Sequence, residues 1–66
     1  SKDVEWSATF REPLEQMQQR WQGPPVWHAL AQIYQLQGDT QALRRQIEWV
    51  QALQPGAVAA LEASLD

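Results

Sequence analysis

Apolar positions along this chain recur at helical intervals and never alternate with period two. Trp27, Leu30, Ala31 and Tyr34 stand at i, i+3, i+4 and i+7, which puts their side chains on one face of an α-helix. Upstream, Trp6, Phe10, Leu14, Met17 and Trp21 are spaced by 4, 4, 3 and 4 residues, one continuous stripe. Downstream, Leu43, Ile47, Val50 and Leu53 form a third stripe that Ala42, Trp49 and Ala52 broaden, and Val58, Leu61 and Leu65 form a fourth. With no alternating segment, no strand is predicted. The expected fold is all-α, with three to four antiparallel helices at about residues 9–22, 25–37, 40–53 and 55–65.

The breaks between the stripes carry stop and start signals. Gly23-Pro24-Pro25 cannot continue a helix, and Pro is tolerated in the first turn of the next one. Gly38 is placed to end the second helix in the left-handed conformation, and Asp39 or Thr40 to cap the third by accepting from its free N–H groups. Pro55-Gly56 ends the third helix, and Pro55 opens the fourth. The start of the first helix has two readings. Thr9-Phe10-Arg11-Glu12 reads as a capping box, but Pro13 then falls at the end of the first turn, where it removes a donor. Alternatively Glu12 caps and Pro13 is the first helical residue, with residues 4–11 a separate turn or short helix. Either way a bend near Pro13 is expected. The connections are two to four residues long, so sequential helices pack antiparallel.

Trp27-x2-Leu30-Ala31-x2-Tyr34, followed by Leu43-x3-Ile47, Val50 and Pro55, resembles the tetratricopeptide repeat, whose 34-residue signature is W-x2-L-G-x2-Y, A-x3-F and a closing Pro. The resemblance covers residues 24–57, one repeat. Ala31 stands in place of Gly and Leu43 in place of Ala, which would splay the hairpin slightly. The resemblance implies that Ala31 allows close approach of the two helices and that Leu30 and Tyr34 fill the interface against Ile47 and Val50. The flanking helices do not keep the register, and the fourth is similar to the capping helix that closes such arrays.

Composition narrows the function. Residues 1–66 make one small TPR-like domain, expected to be a piece of a longer protein, in the size range where a single core is marginal. A formal charge of −3 leaves no basic stripe for phosphates, so nucleic acid is not an expected partner. The apolar runs are too short for direct membrane insertion. There is no Cys, hence neither a disulfide framework nor a thiolate metal site. His28 is the only His and has no catalytic neighbours in sequence, and no glycine-rich phosphate loop occurs. The expectation is a protein that is not an enzyme and needs no cofactor or metal. Eleven Gln fill the polar faces, a helix-compatible solvated surface. Arg44-Arg45 reads as a solvated pair meeting Glu48, or alternatively as a contact for an acidic tail.

What remains is a protein–protein interaction module. The resemblance implies a concave groove lined by the first helix of the hairpin, where His28, Gln32 and Gln35 avoid the core stripe and would meet a peptide or helix of a partner protein. Trp21 is expected to pack on the second helix. Trp6 and Trp49 are the least determined aromatics, and as surface anchors they would serve either a partner or a homo-oligomer with a Trp-lined seam. Self-association or docking with a structural role is the alternative reading. A small helical nucleic-acid-binding domain ranks last, because the third helix offers only Arg44 and Arg45.

Overall fold

A computed structural model of the chain describes residues 2–65. Among them lie α1 (Lys2–Arg20), α2 (Pro24–Leu36), α3 (Thr40–Leu53), a 3-10 turn (Pro55–Ala57) and α4 (Val58–Ala63), with no strand. The fold is all-α, as the periodicity predicts. α2 is the central helix, contacted by each of the others, and its buried residues Val26, Trp27, Leu30, Ala31, Ile33 and Tyr34 leave only one side free.

The local chemistry explains where the helices stop. Pro24 and Pro25 occupy the first positions of α2, where a missing N–H costs nothing, and the Gly23 carbonyl accepts from Val26 and Trp27 at 3.1 Å each. α2 ends in a Schellman motif: Asp39 N–H donates to the Tyr34 carbonyl at 2.9 Å and Gly38 N–H to the Gln35 carbonyl at 3.1 Å. Gly38 makes this possible with φ of 69°, in the left-handed region that a side chain resists. Asp39 then caps α3, its carboxylate accepting from the Ala42 N–H at 3.0 Å.

Two packed clusters share α2. Trp27 and Ala31 pack with Val50 of α3 and Leu61 of α4, with Ile47, Trp49, Val58 and Leu65 around them. Val26, Leu30, Ile33 and Tyr34 pack with Ala42, Leu43 and, from α1, Leu14. The expected contact of Leu30 and Tyr34 with Ile47 and Val50 is thereby corrected. Ala31 and Trp27 make that contact, while Leu30 and Tyr34 turn toward α1. The C-terminal end of the α3 stripe also lies outside the core, with Leu53 44% exposed. In its middle, the polar Gln46 is buried.

α1 departs furthest from expectation. It starts at Lys2 rather than near residue 9, and Pro13 lies inside a continuous helix rather than at its beginning. The carbonyl that loses its donor to Pro13 is that of Thr9, and Thr9 is exposed, so water can replace the bond. The helix is also turned about its own axis, by roughly a quarter-turn, from the expected orientation. Trp6 and Phe10 are each 44% exposed, Met17 42% and Trp21 65%. Only Leu14 of the five-residue stripe packs against the core. The inward row is Ser7, Arg11, Leu14, Glu15 and Gln18, and Ser7 is fully buried. Its hydroxyl donates to the Val4 carbonyl at 2.8 Å, so it enters the interface already satisfied.

Two glycines isolate the backbone effect. A Cβ at Gly38 would meet nothing within 4 Å, and neither would one at Gly56. Gly38→Ala should therefore lower stability by ~1 kcal/mol through backbone strain alone, while Gly56→Ala, where φ is not positive, should leave it unchanged or raise it slightly. Urea melts of the two variants check this, and equal midpoints would refute the left-handed cap.

Candidate functional site

α1 is fastened to the hairpin mainly by hydrogen bonds. The Arg11 guanidinium is their hub: it donates from Nε to Glu15 Oε2 at 3.3 Å, and from one terminal nitrogen to Gln37 Oε1 at 2.7 Å and Asp39 Oδ2 at 3.0 Å. It also lies over the Tyr34 ring, 4.8 Å from its centroid, in cation–π contact. The Tyr34 hydroxyl donates to the same Glu15 oxygen at 2.7 Å. One turn further along α1, the Gln18 and Gln46 amides bond reciprocally at 3.1 and 2.7 Å, and Gln46 Nε2 also donates to the Trp27 carbonyl at 3.3 Å. These bonds tie α1 to α2, to α3 and to the turn between them.

The charges respond to this arrangement. Burial works against the Arg11 cation, but its hydrogen bond to Asp39 and the fields of Glu15 and Asp39 outweigh that and raise its pKa. Burial first, and then donation to Glu15, push the Tyr34 phenol well above its usual value, so it remains a donor. The Asp39 carboxyl is held below its ordinary value, first by the Ala42 N–H and next by Arg11.

Above this network, between α1 and α3, is an open cleft of about 480 Å³ whose walls include Gln19, Gln22, Arg45 and Trp49. Trp49 stands edge-on to Trp27, with centroids 6.0 Å apart and planes at 86°. That geometry adds ~0.5–1.5 kcal/mol beyond area burial, against the cost of the Trp27 indole N–H, which is buried with no partner among the described residues. Trp49 is thus partly a core residue. Trp6 is in a different setting, packed on Phe10 at 5.6 Å on the outward face of α1. Trp21, expected against α2, continues that outward face instead.

His28, Gln32 and Gln35 share the α2 face opposite its core. Gln32 and Gln35 are exposed and His28 half-buried. Gln32 Nε2 donates to the Ser64 carbonyl at 3.3 Å, linking this face to the end of α4. Arg11, Glu15, Gln18 and Gln46 are not announced by the apolar pattern of the sequence. Their only signal was a second row at helical spacing, Ser7-Arg11-Leu14-Gln18, running alongside the aromatic one. No group of three or more His, Cys, Asp or Glu side chains among the described residues is placed to hold a metal ion, and no described helix is long and apolar enough to cross a membrane.

Asp39 predicts a pH effect of definite sign. Because its folded pKa is depressed, its contribution to stability is complete above the ordinary value of 3.8 and is lost as the pH falls through the lower folded value. Arg11→Gln removes one cause of the depression, so melting midpoints of this variant should fall less steeply below pH 4 than those of the unsubstituted chain. Parallel curves would remove Arg11 from the account. A scan against protein families, a search of curated proteins and a search of solved structures find no match for this chain.

Proposed function

We propose that this chain is a protein–protein interaction module that receives an apolar helical segment on the outward face of α1. The observation that carries this reading is the exposure of Trp6, Phe10 and Met17 of α1, and of Trp21 directly after it, along one flank of the helix beside the row that holds the fold. Four large side chains, each close to half exposed or more, amount to on the order of 400 Å² of exposed apolar surface, the size of the largest patch on a typical monomer, which is often functional. Trp is also the residue most enriched at binding hot spots. The tetratricopeptide-like spacing of α2 and α3 agrees with an interaction role.

The face of His28, Gln32 and Gln35 is a second candidate for partner contact, supported by that same resemblance. It is polar, and Gln32 is already engaged with α4. The aromatic face of α1 is therefore the stronger of the two.

A photoreactive benzophenone analogue of phenylalanine at position 10, in the full chain in its own cells, should capture one defined protein on irradiation. The same group at position 35 or 51 should not. Cross-linked products are identified by mass spectrometry. Capture from position 35 alone would move the contact to α2, and no product from position 10 would overturn the reading.

A further inference from the structure

We infer that the occupant of the α1 face is a second copy of this chain, with two α1 helices paired antiparallel about a two-fold axis between Pro13 and Leu14. This rests on the interaction reading above and names its partner. The first support is the spacing. Trp6 and Phe10 are four residues apart, Met17 and Trp21 are four apart, and Trp6 with Trp21 and Phe10 with Met17 are each centred on the same point between residues 13 and 14. In an antiparallel pair about that point, Trp6 of one copy faces Trp21 of the other and Phe10 faces Met17. The stripe is thus complementary to itself, which is what an isologous two-fold interface requires. Phe10 against Met17 is also a sulfur–aromatic pairing.

The relief of the surface agrees independently. Trp6 and Phe10 form an exposed aromatic pair, tilted at 44°. Along the other half of α1 and just past its end lies an open hollow lined by Pro13, Gln16, Met17, Gln19, Arg20 and Trp21. Antiparallel pairing about residues 13 and 14 brings the aromatic pair of each copy over the hollow of the other, twice by symmetry.

Charge favours the same direction. Asp3 and Glu5 lie in the first turn of α1 and Arg20 in its last. Antiparallel packing sets the acidic end of one helix beside the basic end of the next and opposes the two helix dipoles, whereas parallel packing stacks like on like. With about 400 Å² of apolar surface from each copy, about 800 Å² in all, the interface is smaller than a standard specific one, so the association is expected to be weak and transient.

The chain has no cysteine, so a single introduced thiol can be spin-labelled without competition. Thr9→Cys, exposed and beside the stripe, carries the spin label on a copy at natural isotopic abundance, which is mixed with an equal amount of ¹⁵N chain bearing no spin label. Antiparallel pairing should broaden the amide signals of the ¹⁵N chain around residues 16–21. Broadening centred on residue 9 would mean parallel pairing and overturn the inference. Sedimentation equilibrium should show the apparent mass rising from 7.6 kDa toward twice that value with concentration. Trp21→Ala should raise the dissociation constant about tenfold or more with helicity unchanged. A chain that stays monomeric at millimolar concentration refutes self-pairing. If position 10 still captures another protein, the interaction reading stands with a different partner, and if it captures nothing, both fall.

Discussion

The guanidinium of Arg11 decides how α1 sits. It is drawn across the helix boundary by three acceptors from two elements, the Glu15 carboxylate on its own helix and Gln37 and Asp39 at the turn joining α2 to α3. A planar group with five donors can meet such a set without leaving any acceptor unsatisfied. Once Arg11 points inward, the helical repeat places Ser7, Glu15 and Gln18 inward with it, and the aromatic stripe lies roughly a quarter-turn away. Asp39 joins this arrangement to the hairpin, since the carboxylate that caps α3 through Ala42 also receives Arg11. The turn geometry set by Gly38 is therefore a condition for docking α1 as well as for closing the hairpin.

Much of the architecture was legible in the sequence because its signals were local. Gly38, Asp39 and the Pro24-Pro25 pair act within a few residues of themselves, and their roles follow from backbone geometry alone. The buried face of α2 was legible for a different reason: it is apolar, and nearly everything surrounds it. α1 was misread because periodicity identifies a helix and its apolar face but carries no information on which face meets the core. The usual assumption, apolar inward, fails when a parallel polar row finds better partners. Those partners, Gln37, Asp39 and Gln46, lie 26 to 28 residues away in the chain, and no local pattern announces them. Pro13 misled for a related reason. Its cost is the lost bond to the Thr9 carbonyl, and on a solvent-facing stretch water offsets that cost.

The candidate site was legible only in part. Trp6 was singled out as a surface anchor, and its exposure is consistent with that role. Trp49 carried the same expectation but meets Trp27 edge-on. A Trp beside an apolar stripe can complete the core or stand outside it, and the choice depends on whether a second aromatic lies across the helix interface. His28, Gln32 and Gln35 were identified by avoidance of the core stripe, a rule that finds solvent-facing residues without distinguishing a binding surface from an ordinary one.

The way α1 is attached bears on the pairing proposed for it. Hydrogen bonds exchanged for water contribute only ~0.5–1.5 kcal/mol each in net terms, somewhat more when charged. α1 therefore gains less from its polar inward row than an apolar helix of the same length would gain from burial. A partner on its outward face changes this balance, because whatever binds docked α1 more tightly than free α1 stabilises the docked form by mass action. The aromatic face and the polar face are then coupled through one helix. Association on one side strengthens the Arg11 and Gln18 contacts on the other, and loosening those contacts weakens association by the same free energy.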